Sequence, residues 1–393
     1  MRSIATVFRK EVREGLRDRR AMITALLFGP MFGPILFAGI TNYAVSIQLD
    51  EAEKPIEVPV VGGAEASNLM AHLHRRLIDV DHEAFSELET LRESVRRGDT
   101  DVGLVVDADF GSALRDGSPA RLWIVTDVSN NTARSAVSRL RSALVEYGSI
   151  IGTQRLQLRG IDPSVARPIA VLTEDVSTPS GRAILLLGMM TYFLLFATLI
   201  GGTQVAIDTT AGERERGSLE PLLTLPAARA SVVWGKLGAT FFFMAVSLGV
   251  SIVAFAIAVR FLPLAKVGMT ANFTPEVCAV MYVVMLPFAV LGAGVMTIVA
   301  SYTKSFREAQ TYTGLAMVAP TLPIVLVVLN PVQATLGSML VPSLSQHLLV
   351  TELVKGEGVQ ALHILVSAAA TITVGVLCGL ATVRRYGSER LLV

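Results

Sequence analysis

The chain has few charged residues and almost no cysteine. Only 17% of its 393 residues are Asp, Glu, Lys or Arg, whereas soluble domains contain about 25%. Its two cysteines, Cys278 and Cys378, both lie in apolar runs, so the polar part of the chain cannot hold a disulfide framework. The hydrophobic residues, 52% of the total, are gathered into blocks. This distribution favours a protein of the lipid bilayer over one with a single large core.

The chain also lacks the motifs of nucleotide hydrolysis and of the common hydrolases. No G-x-x-x-x-G-K-[ST] loop occurs, since Gly235 and Lys236 are followed by Leu237. Neither H-E-x-x-H nor G-x-S-x-G is present. We therefore expect no enzymatic activity and no metal or cofactor site in this chain, and no nucleic-acid partner.

Six apolar runs are long enough to cross a bilayer, which requires about 20 residues per helix. They are residues 21–46, 183–206, 231–259, 276–300, 311–329 and 362–383. None carries Asp or Glu near its middle, although ion-coupled transporters usually keep such a carboxylate as the exchangeable site. This absence favours energy supplied from outside the membrane.

Between the first two spans, residues 47–180 predict an inserted α/β domain, because short β-branched runs alternate with helical stretches. The strand candidates are 57–61, 102–106, 121–126 and 169–173, and the helical stretches are 65–78, 85–97 and 131–158. His72, His74 and His82 lie near two aspartates. Surface histidines on an amphipathic helix explain them better than a metal site, since a spacing of two does not place ligands on one helical face.

The basic residues predict the orientation of the chain. Residues 1–20 combine apolar side chains at helical spacing with Arg and Lys on the remaining faces, which is typical of an amphipathic helix at a membrane surface. Lys and Arg also favour loops 207–230 and 301–310 and the tail 384–393. By the positive-inside rule both termini are cytosolic and the α/β domain is extracytoplasmic. Residues 330–360 then form an outer loop, in which we expect short re-entrant helices.

The segment 207–230 is the most densely patterned polar stretch between two spans. It is longer than a plain connector, which needs about 2–8 residues. Glu213 and Glu220 are seven residues apart and Arg216 follows Glu213 by three, so these side chains can share one helical face. Gly217 can end that helix and let Leu219 pack against the spans or a partner. We interpret the segment as one that passes force between a cytosolic motor and the membrane helices; the alternative is a solvated loop.

This segment resembles the cytosolic segment of ABC-2-type exporter permeases. The family pattern E-R-E-x-G-[ST]-L-E-x-L-L-x-x-P is matched by ERERGSLEPLLTLP at residues 213–226. FRKEVREGLRDRR at residues 8–20 is similar to the surface helix of the family. Six spans with an external domain between the first two resemble the subgroup of NatAB-type sodium exporters.

The resemblance implies a permease that works with other subunits. Two permease copies would pair with two cytosolic ATPase subunits, and these ATPase subunits would bind ATP and Mg²⁺. The permease itself would lie among the lipids of a bacterial inner (plasma) membrane. The segment 207–230 would be the coupling helix and the N-terminal helix would complete the docking platform. The coupling residues implied are Glu213, Arg214, Glu215, Arg216, Gly217, Leu219 and Glu220, and those of the surface helix are Phe8, Lys10, Glu11, Arg17 and Asp18.

More than one cargo and more than one function are compatible with the sequence. Sodium is the first candidate by resemblance, and amphipathic drugs, lipids or peptides suit apolar walls equally. A membrane receptor that binds a ligand outside and signals through 207–226 is a second function, although six spans exceed what an anchor requires. The missing catalytic motifs disfavour an intramembrane enzyme.

Overall fold

A computed structural model describes most of the chain. The described residues are 2–63, 66–81, 84–130, 133–166, 184–224, 228–267, 271–329, 332–356 and 358–387. The strand expected at 169–173, His82 and Pro226 lie outside them. The chain divides into two compact units, one formed by Met1–Val45 with Val176–Val393 and the other by Ser46–Asp175.

Helices account for most of the secondary structure. In chain order they are α1 Arg2–Arg17, α2 Arg19–Ile23, α3 Gly29–Glu53, α4 Ser67–Arg75, α5 Leu88–Arg97, α6 Phe110–Arg115, α7 Ala133–Leu158, α8 Ile184–Ile207, α9 Glu213–Glu215, α10 Leu219–Thr224, α11 Arg229–Arg260, α12 Pro275–Tyr302, α13 Phe306–Ala316, α14 Leu322–Leu329, α15 Leu344–Lys355 and α16 Ala361–Gly387. The strands are β1 Ile56–Val61, β2 Ile78–Asp81, β3 Val102–Val106 and β4 Leu122–Thr126. Two π-helical turns, Thr24–Phe28 and Asp208–Gly212, interrupt membrane-length helices.

Five helical segments in the described part of the chain are long and apolar enough to cross a membrane. They are Ala25–Ile47, Gly188–Glu215, Arg229–Arg260, Pro275–Tyr302 and Ala361–Gly387. These segments correspond to five of the six runs expected from the sequence. The chain is thus a mainly helical, polytopic membrane protein.

The span expected at 311–329 differs from the prediction, because two shorter helices occupy that region. α13 ends at Ala316, a 3₁₀ turn covers Ala319–Thr321, and α14 begins at Leu322. Pro320 lies in the turn and Pro323 at the start of α14. Proline removes a backbone donor and its ring clashes with the preceding turn, so a continuous helix is disfavoured at this point.

The larger unit has a core of close-packed membrane helices. Met190 of α8, Met244 and Phe255 of α11, and Phe288 of α12 are fully buried in one cluster. At Gly201, α8 and α11 approach so closely that a Cβ on this residue would overlap Ser247. Small residues at such contacts are typical of helix packing in membranes.

The loop expected at 330–360 contains a helix that packs inward. Most of the first two turns of α15 are buried, including Gln346 and His347. The Gln346 amide donates to Ser367 Oγ at 3.2 Å and to Thr371 Oγ1 at 2.9 Å, both on α16. A buried amide needs such partners, so this network holds α15 against α16. Whether α15 enters the membrane stays a prediction.

The smaller unit is built on a four-stranded sheet in the order β2-β1-β3-β4. β1 is parallel to β2 and β3, and β3 is antiparallel to β4. The unit therefore has α/β composition, and its position outside the cytosol stays a prediction. β2 was not predicted from the sequence, because its four residues, IDVD, include two aspartates and lie at the sheet edge. His72 is a correction as well: it is 5% exposed, not at the surface, and lies 3.2 Å from the Ala143 carbonyl.

Candidate functional site

Residues 207–230, which we call the coupling segment after the role expected of them, depart from a regular helix at two points in their described part. α8 continues into the π turn Asp208–Gly212 and the single turn α9, which ends before Gly217. Gly217 has φ +67°, and its N–H donates to the Arg214 carbonyl while the N–H of Ser218 donates to the Glu213 carbonyl, both at 3.0 Å. This pair of bonds is a Schellman motif, in which glycine takes the left-handed position. Glu213 and Glu220 consequently do not share one continuous helical face, contrary to the expectation from their spacing.

Glu213 is buried and bonded to a buried lysine. Its side chain accepts a hydrogen bond from Lys236 Nζ on α11, which also donates to the Thr209 carbonyl of the π turn. Lys236 is 1% exposed and Glu213 is 6% exposed. Two opposite charges that are removed from water together avoid the larger penalty of burying either one alone. The pair therefore joins the end of the second span to α11.

The same carboxylate reaches the N-terminal helix. Lys10 Nζ lies 3.6 Å from Glu213 Oε1 and 3.2 Å from Glu11 Oε1. Glu11 is 3% exposed, and burial raises the pKa of its carboxyl, although the positive charges of Lys236 and Lys10 act in the opposite direction. We call Lys10, Glu11, Glu213 and Lys236 the Glu213 cluster. It joins three elements that are remote in sequence.

α1 also packs directly on α11. A Cβ at Gly235 would lie 2.6 Å from Val7 Cβ, and one at Gly238 would lie 3.3 Å from the Phe8 ring. The Phe8 ring in turn contacts Phe242 edge-on, with ring centroids 6.2 Å apart. Gly235 and Lys236 therefore have separate roles, because the glycine admits the helix and the lysine binds the carboxylate.

Arg214 and Glu215 hold the loop between α12 and α13. The Arg214 guanidinium donates to the Thr303 carbonyl at 2.6 Å and to the Ser301 carbonyl at 3.2 Å, at the end of α12. Glu215 Oε2 accepts from the N–H of Phe306 at 2.6 Å, at the start of α13. A cation at a helix C-terminus and an anion at an N-terminus both complement the helix dipole and satisfy end groups that lack helical partners.

Three arginines complete the contacts around the coupling segment. Arg216 donates to Asp208 Oδ1 at 2.8 Å and closes the π turn. Arg229 donates to the carbonyls of Tyr386 and Gly387 at the end of α16, at 3.2 and 3.1 Å. Arg385 donates to the Ser301 carbonyl at 2.9 Å. Each of these contacts ties a helix end to a neighbouring element.

The structure brings together part of the residue set expected from the sequence. Lys10, Glu11 and Glu213 meet in one cluster, whereas Arg17 and Asp18 are exposed at the end of α1. The remaining positions are Glu215, Arg216 and Gly217, which are exposed, Arg214 and Phe8, which are half-buried, Leu219, which is buried, and Glu220, whose side chain is not described.

The partners of this set were not predicted from the sequence. Lys236 and Asp208 were not assigned to the site, and Arg229 and Arg385 were counted only for orientation. The signal for Lys236 was present, because a lysine inside an apolar run requires a counter-charge. Among the described residues there is no group of three or more His, Cys, Asp and Glu that could hold a metal ion.

Comparison with known proteins identifies the family. The family model described as ABC-2 family transporter protein matches residues 22–384. The chain belongs to the ABC-2 transporter family. The ABC transporter permease protein NatB of Bacillus subtilis (strain 168) is 26% identical over 365 residues, which cover 90% of each chain. No solved structure matches the chain significantly.

Family membership confirms the resemblance to ABC-2-type permeases and sets the class of the protein. ABC-2 permeases are transmembrane subunits that are generally not catalytic themselves, and they generally work with an ATPase subunit. This ABC-2 protein is accordingly a multi-pass membrane protein and a transporter permease.

Proposed function

We propose that this chain is the permease subunit of an ATP-driven exporter, worked by a separate cytosolic ATPase that seats on residues 207–230. The observation that supports this most is the set of bonds made by three consecutive residues. Glu213 binds α1 and α11, Arg214 binds the end of α12, and Glu215 binds the start of α13. A displacement of this segment would therefore act on four helices at once.

The exposed part of the segment defines the surface proposed for the ATPase. Glu215, Arg216, Gly217 and Ser218 are exposed, whereas Glu213 and Leu219 are buried. Buried side chains cannot bind a partner without leaving their present contacts. Glu213 and Leu219 thus anchor the segment, and the turn around Gly217 faces the ATPase.

Capture from membranes tests this assignment. The chain is co-expressed with a soluble ATPase that is sought among the neighbouring reading frames by its P-loop and LSGGQ motifs, and it is captured after solubilisation. Ser218→Arg adds a long cation to the exposed turn and is expected to reduce ATPase recovery at least fivefold. Leu158→Arg, at a position 89% exposed in the smaller unit, is the matched control and should leave recovery unchanged. No recovery with the unaltered chain would refute the proposal.

Sodium is the cargo we propose first, on the resemblance to NatAB-type sodium exporters. Amphipathic drugs, lipids or peptides are the alternatives. ATPase turnover of the complex in proteoliposomes, measured with Na⁺ and with a panel of cationic amphiphiles, separates them. Stimulation by amphiphiles and none by Na⁺ would reject sodium.

The proposed exporter is a homodimer in the bacterial inner membrane, surrounded by lipid, with both termini in the cytosol. Single cysteines at the exposed positions Arg13 and Ser164 test the orientation in a background without Cys278 and Cys378. An impermeant maleimide applied to spheroplasts should label Ser164→Cys and not Arg13→Cys. The opposite pattern would reverse the topology and remove the basis for cytosolic coupling.

A further inference from the structure

Lys236 contacts parts of the chain that are far apart in sequence. Its ammonium donates to Glu213 and to the Thr209 carbonyl, at the end of the second span. The second carboxylate oxygen of Glu213 lies 3.6 Å from Lys10 Nζ on α1. α1, the π turn and α11 therefore meet around one carboxylate, which Lys236 holds from the buried side.

The apolar contacts between α1 and α11 do not by themselves fix the position of α1 relative to the coupling segment. Val7 and Phe8 pack over Gly235 and Gly238, and this packing fixes how closely the two helices approach. These apolar contacts join α1 to α11. The ion pair of Lys10 with Glu213 joins α1 to the coupling segment as well, and buried ionic groups such as Glu213 and Lys236 can select one register among similar packings.

We infer that Lys236 is a positioning residue, which acts through Glu213 to hold α1 at one fixed distance from the coupling segment. The consequence for transport rests on the proposed function, since the two elements together would form the seat of the ATPase. The positioning itself is a property of the permease alone and is tested without ATPase or cargo.

Glu213→Gln/Lys236→Met is the variant that separates positioning from folding. It removes both charges of the pair, so neither is left buried without its partner. Replacing both members of a buried pair is often neutral for stability. Lys10→Met is a second, milder variant, because the Lys10 side chain is 43% exposed and its removal cuts the contact between α1 and Glu213 while Lys236 stays in place.

The measurement is the distribution of spin–spin distances in the full-length chain in nanodiscs. Cys278 and Cys378 are replaced beforehand, and the labelled protein is diluted with unlabelled protein. One label pair, Arg13→Cys and Ser218→Cys, joins α1 to the coupling segment. The control pair, Ser218→Cys and Tyr312→Cys, joins the coupling segment to α13, a relation that Arg214 and Glu215 maintain. All three labelled positions are exposed.

We expect the α1 pair to change from a narrow to a broad distribution, at least twofold wider, in the double variant and to a smaller degree in Lys10→Met. The control pair should stay narrow in both. An unchanged α1 pair in both variants overturns the inference, and so does equal broadening of the two pairs, which would make Lys236 a general support of the fold. Neither result bears on whether the ATPase is captured, so the two proposals fail separately.

Discussion

Removing the Lys236 ammonium alone should destabilise the protein far more than removing the whole ion pair. Glu213 and Glu11 are 6% and 3% exposed, and Lys236→Met removes their buried cation. Breaking a buried pair by removing one partner costs about 3–5 kcal/mol. For a domain of this size about 1 kcal/mol shifts Tm by roughly 2–4 °C, so the apparent Tm should fall by on the order of 10 °C.

A thermal-shift assay in detergent at one fixed scan rate measures this, because large proteins often unfold irreversibly and their Tm then depends on scan rate. Glu213→Gln/Lys236→Met should recover most of the loss, because it leaves no charge of the pair unpaired and because Glu11 keeps Lys10 at 3.2 Å as a counter-charge. If the double variant is as unstable as Lys236→Met, then the carboxylate of Glu213 is not what Lys236 supports. The reasoning from the buried pair would be refuted.

The deficit of Lys236→Met should also grow with pH. Burial raises the pKa of Glu11 above its value in the unfolded chain, so the folded state binds that proton more tightly. The stability from this group is fully present below the unfolded pKa and is lost as pH rises through the folded pKa. Without Lys236 nearby the pKa of Glu11 rises further, which widens this window. A Tm difference that is equal at pH 5 and pH 8 would contradict this account.

Three further substitutions test other contacts of the site. Arg214→Met should lower the free energy of unfolding by about 1–3 kcal/mol, because two helix-end carbonyls lose their donor. Arg214→Lys should recover only part of this loss, and full recovery in a thermal-shift assay would reject the contact with two carbonyls. Gly217→Ala should lower the free energy of unfolding by about 1–2 kcal/mol, since alanine is strained at positive φ. Gly148→Ala, inside α7 with open space around it, should instead raise it by about 0.5–1 kcal/mol, because alanine is the better helix former; equal Tm values for the two variants would argue against the turn. Gly235→Leu should displace α1, because even a Cβ would lie 2.6 Å from Val7, and unchanged spin–spin distances would show that the helices adapt.

Much of the architecture follows from patterns that are local in the sequence. Apolar runs of membrane length set five spans, since the bilayer demands about 20 apolar residues per helix, and alternation of strands and helices marked the inserted unit. The division of the region 311–329 is also a local effect, because Pro320 and Pro323 were visible in the sequence. The run was nevertheless predicted as one helix, since apolar length does not report a break.

From the sequence alone a functional role was predicted for residues 207–230 and for the N-terminal helix, through ERERGSLEPLLTLP and FRKEVREGLRDRR. Tertiary structure alone decided which groups those charges contact. Glu213, Lys10 and Lys236 are separated by up to 226 positions, and only the packing of α1 on α11 brings them within reach of one another. Charge patterns in a sequence predict exposed faces equally well, because the burial that turns Glu213 inward is a property of the assembled helices.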